Sequence, residues 1–220
     1  MIKKIQKFIT NNNLDGYIIP KNDNYFTEYS KNNNLLKVSG FTGSAGFAVF
    51  LKRKNYLFVD GRYTLQAKQQ SGKKFTICQI PYLWPKDIKE IKNKTIGFDP
   101  NLFTKKILGK YFEKQTSLIP IQYNFTKKIE KKNFKFFCLD KKITGEEYNS
   151  KIDKVINLLK KKNINYLYIS ASENVNWLLN IRGKDLPNSP LGNCKLIITQ
   201  DKKIYFLSNL KKISKIKKKN

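Results

Sequence analysis

The chain has 220 residues, with 44 Lys and Arg against 16 Asp and Glu, and no histidine. That length holds one large or two small domains, and 40% apolar with 13% aromatic residues is enough for a buried core, which excludes wholesale disorder. The longest apolar run, Phe47–Leu51, is far too short for a membrane helix, and the N-terminus intersperses Lys with Ile and Phe instead of forming a signal-peptide core, so a cytoplasmic protein without a membrane partner is expected.

Ile2, Ile5, Phe8 and Ile9 fall at helical spacing and predict an opening amphipathic helix. Tyr17–Ile19 reads as a buried strand stopped by Pro20, and a polar loop follows through Asn32 and its neighbours. Gly46–Leu51 and Tyr56–Val59 flank Lys52–Asn55 and predict a hairpin. A helix near Tyr63–Gln70, a strand at Phe75–Ile80, a helix near Asp87–Ile91 and a strand at Thr95–Phe98 come next. A helix at Asn101–Phe112 and a strand at Leu118–Tyr123 complete the first unit. Alternating strands and helices imply an α/β layer structure.

Lys127–Asn133 is a charged stretch that reads as a linker, dividing the chain into domains at 1–129 and 130–220. Beyond it, Phe134–Leu139 reads as extended. Thr144-Gly-Glu-Glu147 has the spacing of a capping box, in which the Thr hydroxyl and the Glu carboxylate satisfy opposite backbone donors. Tyr148, Ile152, Val155, Ile156 and Leu159 then make one apolar helix face. Tyr166–Ile169 reads as a strand, Ser172–Leu179 as a helix, and Lys195–Thr199 with Ile204–Leu207 as strands about a turn. Lys211–Asn220 reads as a frayed, lysine-rich tail. The second unit therefore starts in the same order as the first, which one sequence does not convert into a shared fold.

Without histidine there is no Ser-His-Asp or Cys-His pair and no imidazole metal ligand. Cys78, Cys138 and Cys194 are isolated and odd in number, which fits buried free thiols in a reducing compartment. Of the 44 cationic residues 41 are lysine, and Asn and Ile number 24 and 25; all three have A/T-rich codons, so a biased base composition would raise them together, and with them the +28 charge, without a functional cause. The lysines are diffuse, and a specific nucleic-acid reader more often uses Arg. Non-specific polyanion binding at low salt is expected, and a specific nucleic-acid partner is not.

Three loops stand out. Gly40-Phe-Thr-Gly-Ser-Ala-Gly46 is the densest glycine cluster, but it precedes a strand and no Lys-Ser/Thr pair closes it. It reads as a loop whose glycines allow close backbone approach. In Asp60-Gly-Arg-Tyr63, Asp60 can cap a helix and Arg62 can pair with a carboxylate, or Arg62 can clamp an anionic ligand. Asn180-Ile-Arg-Gly183 and Leu186-Pro-Asn-Ser-Pro190 carry one of only three arginines on a proline-stiffened loop. That loop is either a binding edge or a segment packed on its own sheet with Arg182 tied to a carboxylate. The carboxylates are scattered, with no spacing that favours a metal site.

Together, Gly40–Gly46, Asp60-Gly-Arg-Tyr-Thr-Leu-Gln-Ala67, Ile96-Gly-Phe-Asp-Pro100, Trp177-Leu-Leu-Asn-Ile-Arg-Gly183 and Asp185–Pro190 resemble Xaa-Pro aminopeptidase (aminopeptidase P). They match the bacterial-type long form with two creatinase-like N-terminal domains, over about Leu14 to Leu207. Tyr25, Lys37-Val38 and Gly192–Lys195 depart from the family pattern.

The resemblance implies an α/β fold of two creatinase-N-terminal-like domains with mixed sheets flanked by helices, the second incomplete. It implies a non-catalytic N-terminal portion, a split subunit or a truncated remnant, inactive alone, that shapes substrate access to a metallopeptidase domain. The family's two divalent metal ions, Mn or Zn, belong to that C-terminal domain, so no catalytic residue, metal ligand or cofactor is expected in this chain. Arg62, Tyr63, Arg182, Asp185 and Asn188 become the residues expected to face the mouth of the site. The expected partner is a separate catalytic polypeptide or a second copy, with peptide substrate reached only through it. The alternatives are a stand-alone protein- or peptide-binding module and, less favoured, a polyanion binder.

Overall fold

A computed structural model describes residues 1–27, 33–123 and 134–213. The chain divides into two compact units, Met1–Ile129 and Glu130–Asn220. The linker read at Lys127–Asn133 and most of the lysine-rich tail lie outside the described residues.

In the first unit, helix α1 (Ile2–Asn11) buries Ile5 and Ile9, each side chain contributing roughly 1.5–3 kcal/mol by leaving water. Strand β1 (Gly16–Pro20) follows, then helix α2 (Asn34–Ser39), strands β2 (Phe47–Leu51) and β3 (Asn55–Asp60), and a 3₁₀ turn at Gly61–Tyr63. Helix α3 (Thr64–Ser71), strand β4 (Thr76–Ile80), a 3₁₀ turn at Pro85–Asp87, strand β5 (Thr95–Phe98), helix α4 (Lys105–Tyr111) and strand β6 (Ser117–Pro120) complete it. The six strands form one mixed sheet in the order β4-β3-β2-β1-β5-β6. The pairs β1–β2 and β2–β3 are antiparallel; β3–β4, β1–β5 and β5–β6 are parallel.

Both faces of this sheet are covered, so its strands are nearly continuously apolar. Tyr17, Ile19, Phe50 and Leu57 pack with Ile5, Ile9, Leu35 and Ala67 on one face. Ile18, Val49, Tyr56 and Phe58 pack with Ile88, Ile91, Leu108 and Phe112 on the other.

Three local expectations change. Helix α2 arises at the end of the polar asparagine loop, where the sequence reading places no element: the Asn33 side chain accepts a hydrogen bond from the Leu36 amide at 2.9 Å, and Gly40 ends the helix with φ +81°. At Asp87–Ile91 there is no α-helix; the Asp87 carboxylate accepts the Trp84 amide (2.7 Å) and holds a single 3₁₀ turn. The helix expected from Asn101 starts only at Lys105, because Thr104 caps it by accepting from the Ile107 amide.

The second unit opens with strand β7 (Phe137–Cys138), helix α5 (Lys141–Thr144), helix α6 (Tyr148–Lys161), strand β8 (Tyr166–Ile169) and helix α7 (Ser172–Leu178). Strands β9 (Ile181–Arg182), β10 (Lys195–Thr199), β11 (Ile204–Leu207) and helix α8 (Leu210–Ile213) follow. Strand β7 pairs antiparallel with β9, and an antiparallel sheet runs β11-β10-β8. Helices α6 and α7 bury Ile152, Ile156, Leu159 and Val175 against Leu167, Leu196 and Ile198 on one sheet face.

Two further expectations are corrected here. Thr144 does not cap α6: it is the last residue of α5, Gly145 turns the chain with φ +76°, and the Thr144 hydroxyl donates to the Glu146 carbonyl. The N-cap of α6 is Glu147, without a side-chain cap bond. The tail is not frayed at its start, since Leu210–Ile213 is helical and Lys212 is buried.

Candidate functional site

In the first unit, two motifs singled out by sequence lie against each other. Phe41 buries its ring in the core and Gly43 lies on that ring, where a Cβ would come within 2.2 Å of Phe41 Cζ. The Thr42 amide donates to Gln70 Oε1 (2.9 Å), and Gln66 Nε2 donates to the Thr42 hydroxyl (2.6 Å). Ser44 and Tyr63 share a hydroxyl–hydroxyl bond of 2.8 Å, and the Tyr63 ring meets Phe41 edge-on. The glycine loop is thus latched onto the 3₁₀ turn and α3, as close-approach glycines allow.

Asp60 accepts from both the Arg62 amide (2.9 Å) and Arg62 Nε (2.8 Å). Those bonds hold its carboxyl below the usual aspartate range. The pair is exposed, so it orients Arg62 more than it stabilises the unit.

In the second unit, Asn176 is fully buried and organises the loops around Arg182. Its Nδ2 donates to the carbonyls of Ser172 (2.7 Å) and Gly192 (2.8 Å), and its Oδ1 accepts from the Gly192 amide (3.0 Å). Arg182 donates through Nη1 to the carbonyls of Asn176 (3.1 Å) and Ile181 (2.8 Å). Its guanidinium therefore ties strand to helix through carbonyls, where the packed-loop reading expected a carboxylate. The Gly183 amide donates to the Pro190 carbonyl and the Asp185 amide to the Leu191 carbonyl, which closes the Asp185–Pro190 loop. Asn188 is exposed on that loop.

Sequence reasoning misses three buried lysines, Lys21, Lys151 and Lys212, the last two in the second unit. Lys212 of α8 pairs with Asp185, which also accepts the Asn193 amide at 2.6 Å. Lys151 of α6 donates to the Trp177 carbonyl (3.0 Å) and Asn180 Oδ1 (2.8 Å), with its ammonium 4.1 Å from the Trp177 ring centroid. Nothing in a chain with 41 lysines distinguishes these three. The only signal is that Lys151 falls on the apolar face of α6.

The cysteines divide as two buried, Cys78 and Cys194, and one exposed, Cys138, which corrects the expectation of three buried thiols. Burial pushes the Cys78 thiol up to about 11 and the Cys194 thiol up to about 12. Neither is an activated nucleophile. Among the described residues no three His, Cys, Asp or Glu side chains come together to hold a metal ion. A surface cleft of about 360 Å³ lined by Ile2, Leu36, Gly40 and Gln70 holds no carboxylate or thiol. The side-chain bonds of these motifs hold loops to a scaffold. No described helix is long and apolar enough to cross a membrane.

Two α/β units in tandem with these latched loops define a class of scaffold, and comparison identifies it. Residues 1–127 match a creatinase/prolidase N-terminal domain model, and residues 127–219 match a second model of the same description. The chain belongs to the creatinase/prolidase N-terminal domain family, as its motifs imply.

Among its relatives, the probable Xaa-Pro aminopeptidase P of Coprinopsis cinerea is 26% identical over 93% of this chain and 36% of that protein. Xaa-Pro aminopeptidase 1 of Dictyostelium discoideum is 28% identical over 98% of this chain and 38% of that protein. The X-prolyl aminopeptidase of Caenorhabditis elegans, a cytosolic enzyme with a di-nuclear active site, superposes with a TM-score of 0.80. It is 26% identical, covering 90% of this chain and 35% of that one. The chain spans little more than a third of each relative and corresponds to its N-terminal part. The described residues offer no donor set that fits a di-nuclear metal centre, so no step of such chemistry is assigned to them.

Proposed function

We propose that this chain is the substrate-access portion of an Xaa-Pro aminopeptidase, carrying no catalytic group and acting beside a metallopeptidase domain. The observation that carries the reading is the superposition of 90% of the chain on the C. elegans enzyme while covering only 35% of it. In this reading the domains 1–129 and 130–220 contribute Arg62 with Tyr63, and Arg182 with Asp185 and Asn188, to the mouth through which peptides reach the metals. The anchoring of Arg62 by Asp60 and of Tyr63 by Ser44 supports it, because a rim that selects by shape needs held side chains. The catalytic domain supplies the metals and the activated water. The same reading favours the cytoplasm as location, as for the C. elegans enzyme.

The test is a chimera in which this chain replaces the matching N-terminal part of the Dictyostelium enzyme. Arg62→Ala or Arg182→Ala should raise KM for Xaa-Pro peptides with little change in kcat, the signature of lost uniform binding. A chimera whose KM is indifferent to both substitutions and to peptide length overturns the access role.

A further inference from the structure

Along the sequence the lysines look diffuse, but the fold of the first unit sorts them by sheet end. Register decides which loops share an end. Leu51 at the close of β2 stands opposite Gly16 at the start of β1, Gly16 opposite Ile96, Thr95 opposite Ser117, and Tyr56 opposite Thr76. The segments 12–15, 52–54, 72–75, 89–94 and 112–116 therefore lie together at the end where β1, β3, β4, β5 and β6 begin. They carry nine Lys or Arg against Asp15, Glu90 and Glu113. At the opposite end, the described segments 21–27, 40–46, 60–63, 81–87, 99–104 and 121–123 carry three cations against Asp23, Asp60, Asp87 and Asp99.

A biased base composition raises lysine on every surface alike; it does not polarise one sheet. The acids at the basic end are each engaged already. Asp15 pairs with Lys52 (3.7 Å), Glu90 with Lys54 (2.7 Å) and Glu113 with Lys92 (3.6 Å). Arg53, Lys73, Lys74, Lys89, Lys94 and Lys114 have no carboxylate partner among the described residues, and all but the half-buried Lys94 are exposed. They are spread over the width of a six-stranded sheet, about 24 Å at the usual strand spacing. The large apolar side chains of the same segments, Leu14, Phe75, Ile91 and Phe112, are all buried.

We propose that this basic end of the first sheet is a docking surface for the phosphate backbone of a nucleic-acid duplex, bound without reading its sequence. Lysine meets phosphate as a point charge, and Arg53 alone of the six has the planar fork that reads a guanine edge, so the contacts go to the backbone. With no exposed aromatic ring, this end gives the unstacked bases of a single strand no platform. With no exposed large apolar group, it inserts nothing into a bilayer. A duplex presents its charges in fixed positions, whereas a disordered acidic peptide has to be ordered as it binds. Arg62 and Tyr63 lie at the opposite end of the sheet, so the proposal stands or falls separately from the access role.

The experiment measures binding of the full chain to a labelled duplex of about 20 base pairs and arbitrary sequence, as DNA and as RNA, by fluorescence anisotropy across about 0.05–0.2 M salt. One variant combines Arg53→Gln, Lys73→Gln, Lys74→Gln and Lys114→Gln. A second removes the same charge from the second unit through Lys141→Gln, Lys160→Gln, Lys161→Gln and Lys162→Gln. All these side chains are exposed, so both variants should keep the parent's melting temperature. The basic-end variant should bind about thirtyfold more weakly or worse, and its slope of log affinity against log salt should flatten by about four. The second-unit variant should lose less than about threefold, since screening confines the effect of a surface charge to its neighbourhood. Equal losses in the two variants overturn the proposal, because net charge alone would then account for binding. So does a basic-end variant that loses binding to vesicles of anionic lipid while its duplex affinity is unchanged, because the surface would then belong to a membrane.

Discussion

Lys212 and Asp185 meet as an ion pair with both side chains almost withdrawn from solvent, 8% and 12% exposed. The pair joins α8 to the Asp185–Pro190 loop, and the Lys212 ammonium also lies 5.0 Å from the Phe136 ring centroid. Neighbouring Lys211 is exposed, so two adjacent lysines do opposite things.

Removing one member of a buried pair strands the other charge, which costs about 3 kcal/mol or more. Lys212→Ala should therefore lower the stability of the second unit by about that amount, against less than about 0.5 kcal/mol for Lys211→Ala. Urea unfolding followed by Trp177 fluorescence, with Trp84 replaced by Phe, isolates the second unit. Equal effects from the two substitutions would show that the pair contributes nothing.

Lys151 offers a neutral counterpart to that test. Lys151→Met keeps the stem's volume but removes the ammonium from Asn180 Oδ1 and from the Trp177 carbonyl, which keeps only the longer bond from the Asn180 amide (3.3 Å). The expected loss is about 1–3 kcal/mol, the cost of stranding buried acceptors. The same fluorescence-monitored unfolding measures it, and a variant as stable as the parent would argue that water replaces the ammonium.

Two glycines should respond oppositely to alanine. Gly46 has φ +146°, and an added Cβ would stand 2.8 Å from the Phe58 carbonyl oxygen, so Gly46→Ala should cost about 2 kcal/mol or more in the first unit. Gly109 lies inside α4 with nothing near its Cβ position, and Gly109→Ala should gain about 0.5–1 kcal/mol from helix propensity. Thermal unfolding followed by Trp84 reads both shifts.

The thiols give the pH dependence its sign. Cys194 and Cys78 have folded values near 12 and 11, above 9.0, their ordinary value. A raised acid stays protonated in the fold while the unfolded chain ionises, so this stability is fully present below about pH 9 and is lost as pH rises toward 12. Replacing both with Ala should flatten the alkaline limb of a stability–pH curve. In the native chain at pH 8, a thiol reagent should label Cys138 rapidly and the other two only on unfolding. Fast labelling of all three would contradict the burial.

Much of the architecture is legible in the chain because apolar runs and periodicity carry it. Ile5 and Ile9 mark α1, Phe47–Leu51 and Tyr56–Val59 mark the hairpin, and Ile152, Ile156 and Leu159 mark α6. What escapes is decided by side-chain bonds to the backbone. Asn33 starts α2 beside an asparagine-rich stretch, Asp87 holds a turn where the sequence suggests a helix, and Asp140 caps a short helix, α5, that ends at Thr144, the residue that spacing makes the cap of α6. The candidate site is legible as loops but not as a network: Asn176, the hub for Gly192 and Arg182, has no motif of its own.

The most direct test of a non-catalytic scaffold is peptide cleavage by the purified chain with Mn²⁺ or Zn²⁺ added. Two-metal hydrolysis needs several ligands converging on ions about 4 Å apart, and the described residues offer no such group. An Xaa-Pro peptide should remain intact alone and be cleaved only when a metallopeptidase domain is supplied. Cleavage by the isolated chain that a chelator abolishes, and that co-purifies with the chain by mass, would contradict the assignment.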